Sequence, residues 1–305
     1  MSIFEQNLIR EDGTIKGLPN KFYYDLIRLD DYYYDKKENR ICLQTDTGIA
    51  LNNIKEQVEC TSLEFLYSII ELHQDLEAIF EDFKTNFLFF NVAFESKIIN
   101  SYAKRIIRWC KKYGYPYVDS IKQPNNSKFN TRIIRNNKIN YATFSVIDFL
   151  VSVNDIFSLY LLYLCIVGSI NKIPNKTYIS NVNALPISVT DLNDISDFEK
   201  EECESVFEQK LNQYELSSVI SISDKHYPFI SIKANNLFES AAYQISLMMY
   251  NPKYEIKICP LCNKPFEPKN RKQKYCNNST CYPQLAYKRK IAAEKRKQKN
   301  KPENK

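Results

Sequence analysis

The chain has 305 residues, 44% of them hydrophobic and 26% charged, with 42 Lys+Arg against 36 Asp+Glu and a formal net charge of +6. That balance describes a folded protein with enough length for a substantial core, in one large domain or two. Only 5 glycines occur, where ordinary usage would give about 21. None has the spacing of a dinucleotide or phosphate loop, which excludes the common nucleotide-binding enzymes and their glycine-built cradles.

In chain order, Met1 to Gln6 shows neither a charged n-region nor an apolar h-region, so no secretory signal is expected. Arg40 to Leu51 alternates enough for a strand. Thr61-Ser62-Leu63-Glu64 reads as a capping box, followed by Leu66, Ile69, Ile70, Leu76, Ile79, Phe80 and Phe83 at helical spacing. A second helix is predicted from Phe94 to Tyr113, with Ile98, Ile99, Tyr102, Ile106, Ile107 and Cys110 inward and Gly114 as its stop. Asp119 to Asn140 is rich in Asn and Lys and reads as a loop, with room for a boundary inside the body. Phe144 to Gly168 is the most apolar helix. Its run from Ile156 to Ile170 falls short of the roughly 20 residues that span a bilayer, so a buried core helix is expected. Ser196-Asp-Phe-Glu199 opens another helix, and Ser218–Ser223 with Pro228–Lys233 reads as a hairpin. Asn236-Leu-Phe-Glu239 opens the last body helix, which Pro252 closes.

Catalytic signals are weak. The only histidines, His73 and His226, fall within a helix and a hairpin turn. Glu-x-Lys triplets start at Glu95, Glu208, Glu255, Glu267 and Glu303, as chance gives in a Lys/Glu-rich chain. The 22 tyrosines mostly lie outside basic segments. The chain is therefore read as a non-enzyme.

The nine cysteines fall into two groups. Five are scattered, whereas Cys259, Cys262, Cys276 and Cys281 form C-x2-C-x13-C-x4-C. A C-x2-C knuckle presents two thiolates on one side, each able to reach the Zn–S distance of about 2.3 Å, and the thirteen intervening residues suffice for a hairpin that brings back the second pair. Four sulfur ligands close the tetrahedron, so one structural Zn2+ is expected rather than a catalytic one. Phe266 and Tyr275 are candidates for the finger's small core. Asn263 tolerates the left-handed conformation a knuckle needs, and Pro283 suits the first turn of a following helix. An odd cysteine total and the paired spacing argue against a disulfide framework.

Cys259-Pro-Leu-Cys262-Asn-Lys-Pro-Phe266, a basic stretch, Tyr275-Cys276, Cys281 and a Lys/Arg-rich segment together resemble the CGNR-type zinc finger. The likeness covers roughly the last 60 residues. It implies a C-terminal DNA-binding finger of the kind found in a group of stress-induced transcription regulators. Where that family carries Gly-Asn-Arg, this chain has Tyr282-Pro283-Gln284.

Charge is unevenly placed. Residues 251–305 carry 16 Lys+Arg against 4 Asp+Glu, leaving 26 against 32 in residues 1–250. Such a concentrated positive end attracts polyanions, nucleic acid foremost. Leu285 to Asn300 reads as a helix with only Gln284, Tyr287, Ile291 and Gln298 on its narrow inner stripe. The candidate nucleic-acid contacts are Lys269, Arg271, Lys272 and Lys274 in the finger, with Lys288, Arg289, Lys290, Lys295, Arg296 and Lys297 in the tail. Lysine predominates, which favours gripping phosphates over reading bases.

The expected fold is an α-rich α+β body with a small zinc-binding finger (knuckle, hairpin, helix) and a basic helical tail. The expected domains are a mostly helical body over residues 1–250, with an internal boundary near 119–140, a finger over 251–284, and a tail over 285–305. The expected function is zinc-dependent binding of DNA or RNA by a cytoplasmic, non-membrane transcriptional regulator whose body senses a ligand or forms a homodimer. Two alternatives stand beside it: the finger as a structural or interaction module for an acidic protein, and a nucleic-acid-processing enzyme with its active site in the body.

Overall fold

The computed structural model describes residues 21–26, 32–45, 56–59, 63–82, 96–117, 132–136, 139–169, 185–186, 194–214, 216–222, 228–250, 256–262, 265–270, 272–276 and 281. In chain order these residues form β1 (Lys21–Leu26), β2 (Tyr32–Asp35), β3 (Arg40–Thr45), β4 (Glu56–Glu59), α1 (Glu64–Asp82) and α2 (Ser96–Tyr113). Next come β5 (Arg132–Asn136), β6 (Ile139–Ser145), α3 (Val146–Ile166) and α4 (Asp197–Leu211). The chain closes with β7 (Leu216–Ile222), β8 (Pro228–Ala234), α5 (Leu237–Tyr250), β9 (Lys257–Ile258) and β10 (Pro265–Phe266). One four-stranded sheet runs β4-β1-β8-β7 and a second runs β2-β3-β6-β5. All pairs are antiparallel except β1 with β8, which joins two segments far apart in sequence.

Turn chemistry fixes the second sheet. Asp35 Oδ1 accepts from the Lys37 N–H at 2.9 Å, and Asn39 takes φ 52°, a conformation asparagine tolerates better than most residues. The Tyr34 hydroxyl donates to Asn39 Oδ1 at 2.7 Å, and the Val146 N–H donates to the Asn39 carbonyl at 3.1 Å. The β2–β3 turn is thus tied to the first residue of α3. Ser145 ends β6 and caps α3, its hydroxyl accepting from the Asp148 N–H at 3.3 Å. At the other end of α3, Gly168 at φ 62° and Ser169 return N–H bonds to the Cys165 and Leu164 carbonyls, a Schellman closure.

Helix α3 is the hub. It packs on α1, α4 and α5, and its run from Phe157 to Cys165 is continuously buried, so it is apolar all round. It is the one described helix long and apolar enough to cross a membrane, yet 78% of that stretch lies inside the protein. Aromatic rings fill the joint between elements. Phe149 meets Trp109, Phe144 and Phe238 with centroids 5.6, 5.6 and 5.4 Å apart, and Tyr117 meets Phe144 and Phe238 at 5.5 Å each. These spacings suit edge-to-face and tilted ring contacts. Helix α4 rests on α3 through Cys203 and Phe207, with Cys203 beside Cys165 of α3.

All five predicted body helices are present. Ser196 forms the expected capping box with Glu199, and Asn236 Oδ1 accepts from the Glu239 N–H at 2.9 Å. Gly114 stops α2 at φ 95°, its N–H donating to the Cys110 carbonyl at 2.7 Å. The Thr61–Ser62 part of the first capping box lies outside the described residues. Part of the 119–140 stretch is not the loop its composition predicts. Residues 119–140 include β5 and the start of β6, where Ile134 pairs with Tyr141 and Ile133 with Ala142. The Asn- and Lys-rich composition masks this strand pair, whose last partners are Asn136 and Ile139. Strands β1, β2 and β4 were likewise not anticipated.

Candidate metal centre

The four clustered cysteines come together. Their sulfur atoms all lie within 4.8 Å of one another, with Cys259 and Cys281 buried and Cys262 and Cys276 half-buried. Cys262 Sγ and Cys276 Sγ are 3.7 Å apart. A tetrahedron with metal–sulfur bonds of about 2.3 Å has edges of about 3.8 Å, whereas a disulfide requires about 2.05 Å. No described cysteine is in a disulfide. The donor set is therefore the right size for one closed four-thiolate ion. Among the described residues no other group of three or more His, Cys, Asp or Glu side chains could hold a metal.

The local chain explains how the sulfurs meet. β9 pairs antiparallel with β10, Pro265 opposite Ile258 and Phe266 opposite Lys257, so the first knuckle is itself the hairpin turn. This corrects the expectation of a hairpin within the thirteen-residue spacer. Beyond β10 the spacer is shaped by turns instead. The Lys272 N–H donates to Asn270 Oδ1 at 3.1 Å, and the Gln273 N–H to the Asn270 carbonyl at 3.0 Å. Gln273 Oε1 accepts from the Lys269 N–H at 2.8 Å, while its Nε2 donates to the Tyr275 carbonyl at 2.8 Å. One glutamine thereby braces both ends of the loop that delivers Cys276. Phe266, with Leu261 and Tyr275 beside it, packs on the cysteines as the sequence suggested. Among the described residues only these three apolar side chains pack on the cysteines, so an ion held by the sulfurs would supply much of the order of this end.

Electrostatics favour thiolate at Cys259. Burial raises its pKa, but the N–H groups of Cys276, Leu261 and Cys262 together with the Cys276 thiol outweigh burial and bring it to about 7. Lys269, Lys272 and Lys274 are exposed around the bracing loop. Arg271, Lys288, Arg289, Lys290, Lys295, Arg296 and Lys297 lie outside the described residues, as do Asn263, Pro283 and the predicted tail helix.

The finger is fastened to the body. Ile256, just before β9, belongs to the main core. The carboxylate of Glu267 (Oε2) accepts from the Leu63 N–H at 3.4 Å, at the N-terminus of α1, where the helix dipole favours an anion. Gln244 of α5 accepts from another first-turn donor, the buried Leu66 N–H, at 2.8 Å. Sequence reading missed both caps, because neither partner is near α1 in the chain.

The remaining candidates sit apart. His73 is buried with its ring stacked on Phe157, centroids 3.8 Å apart. Burial lowers its pKa to about 3, with Asn154 as the polar side chain that opposes the shift, so the ring is neutral at pH 7. His226, Glu95, Glu255 and Glu303 lie outside the described residues, and Glu208 is exposed on α4. Comparison with family models, with curated proteins and with solved structures finds no match to this chain.

Proposed function

We propose that this protein binds nucleic acid, with DNA as the target and regulation of transcription as the role, through a basic C-terminal finger whose shape is set by one structural zinc ion. Cys259, Cys262, Cys276 and Cys281 would hold the ion. Bound there, zinc supplies a cross-link among four thiolates and no open coordination position. The observation that carries the reading is the coincidence of that closed sulfur cluster with the chain's densest positive charge, 16 Lys+Arg against 4 Asp+Glu over residues 251–305. Lys269, Lys272 and Lys274 surround the ligand loop and belong to no ion pair among the described residues. The likeness to the CGNR-type finger supports the regulatory role.

The test has two arms. Elemental analysis of purified protein is expected to give one zinc per chain, unchanged on deleting residues 285–305. Binding to generic duplex DNA is expected at 50 mM salt and to weaken by roughly 10³–10⁵ by 200 mM, the behaviour of six to ten phosphate contacts. Absence of binding at 50 mM, or binding indifferent to salt, overturns the reading and favours the finger as a cap for an acidic protein partner.

A further inference from the structure

Helix α2 holds a concentration of charge that neither the fold nor the finger accounts for. Its 18 residues contain six basic side chains (Lys97, Lys104, Arg105, Arg108, Lys111 and Lys112) and no acidic one, in a body whose other charges are mostly negative. The inner face is fully engaged: Ile98, Ile99, Tyr102, Ala103, Ile106, Trp109, Cys110 and Tyr113 are all buried. Packing therefore holds the helix without help from its outer face. On that outer face Lys104, Arg108, Lys111 and Lys112 are exposed. At 3.6 residues per turn they fall within an arc of about 100°. Like charges at such i,i+3 and i,i+4 spacings cost a helix about 0.2–0.5 kcal/mol per pair. Favourable interaction with the helix C-terminus accounts for Lys111 and Lys112 in the last turn, but not for Lys104 and Arg108.

Neutralising partners are scarce among the described residues. Arg105 pairs with Asp75 of α1 at 3.3 Å, and the Lys112 Nζ lies over the Tyr113 ring, 4.6 Å from its centroid. Lys104, Arg108 and Lys111 make no ion pair among the described residues. Glu64 and Glu71 of α1 border the seam at Tyr113, and Glu64 and Lys112 both lie near Tyr67.

The stripe also runs toward the finger. Helices α1 and α2 are antiparallel: Asp75 meets Arg105, Ser68 accepts from the Trp109 indole N–H at 3.1 Å, and Phe65 meets Tyr113. The C-terminal end of α2 is thus beside the N-terminal end of α1, where Glu267 docks the finger at Leu63.

We propose that Lys104, Arg108, Lys111 and Lys112 form a second phosphate-binding surface, which holds the backbone of the same duplex that the finger grips. This rests on the proposed nucleic-acid function and extends it to the body. From Lys104 to Lys112 the helix rises about 12 Å, the length over which one strand of a duplex presents three to four phosphates. Four cations match that number and outweigh the roughly half negative charge of the helix C-terminus. With one arginine among three lysines, the stripe positions the backbone and reads no sequence.

The experiment compares four full-length proteins by salt titration on generic duplex DNA: wild type, Lys104→Gln/Arg108→Gln/Lys111→Gln/Lys112→Gln, Lys269→Gln/Lys272→Gln/Lys274→Gln, and Lys36→Gln/Lys37→Gln in the β2–β3 turn. Thermal unfolding of each confirms the fold. The α2 variant is expected to show a salt slope shallower by about 3 to 4 and affinity at 100 mM reduced by up to about 10³-fold. Lys36→Gln/Lys37→Gln is expected to leave both near the wild-type values. If the α2 variant binds as wild type while the finger variant weakens, the stripe is overturned and the finger reading stands. Equal loss per charge from the α2 and turn variants also overturns the stripe, as a mere net-charge effect. If only the α2 variant weakens, the duplex is held without Lys269, Lys272 and Lys274, and the grip shared by stripe and finger loop is overturned. No binding by wild type at 50 mM overturns both.

Discussion

His73 makes the stability of this protein depend on pH in a calculable way. Its ring is enclosed between α1 and Phe157 of α3, and burial holds its pKa at about 3, against about 6.5 in an unfolded chain. As pH falls below about 6.5 the unfolded chain takes up a proton that the folded protein refuses. Stability is therefore lost from about pH 6.5 down to about pH 3 and is fully present above that window. Between pH 7.5 and pH 5 the loss from this one residue is about 2 kcal/mol. A folded value of 4 in place of 3 leaves the figure almost unchanged, because both lie well below pH 5. His73→Leu removes the proton site and keeps a buried apolar side chain of similar volume. Urea unfolding of both proteins, followed by circular dichroism at pH 7.5, 6 and 5, gives the difference in stability, from which carboxylates common to both cancel. The difference is expected to move by about 2 kcal/mol in favour of His73→Leu on going to pH 5. Parallel profiles for the two proteins would refute the burial argument, since they would require a ring that protonates as readily folded as unfolded.

Two further perturbations test the joints of the fold. Phe149→Ala removes the ring shared by Trp109, Phe144 and Phe238 and is expected to cost about 3–5 kcal/mol in urea unfolding. A cost below 1 kcal/mol would mean this aromatic joint is not part of the core. Glu267→Gln weakens the anionic cap on α1 and is expected to speed amide hydrogen exchange at Leu63 about two- to fivefold at low salt. Leu66, held by Gln244, should be unaffected. Equal acceleration at both amides would show that the finger and α5 do not cap α1 separately.

Helices were legible because their signals are local. Ser196 with Glu199, Asn236 with Glu239, and Gly114 each sit within a few residues of what they cap or stop. The four sulfur ligands were legible for the same reason, since a C-x2-C spacing states its own geometry. Pairings between distant segments were not. Strand β1 pairs in parallel with β8, more than two hundred residues later, and no periodicity in Lys21–Leu26 announces a partner there. Strand β5 lies in an Asn-rich stretch whose composition predicts a loop. The braces of the finger, Gln273 within the loop and Glu267 against α1, arise from tertiary placement. The stripe on α2 was present in the sequence as six cations without an acid. Over the body as a whole, acidic segments outweigh it. Its meaning depends on α2 lying antiparallel to α1, at the end where the finger docks.

The central claim is that a zinc-fixed basic end grips a phosphate backbone. Its most direct test is the slope of log affinity against log salt concentration for the zinc-loaded, full-length protein on generic duplex DNA. Six to ten phosphate contacts predict a slope of about −5 to −9. A slope near zero, or no measurable binding at 50 mM salt, would contradict the account.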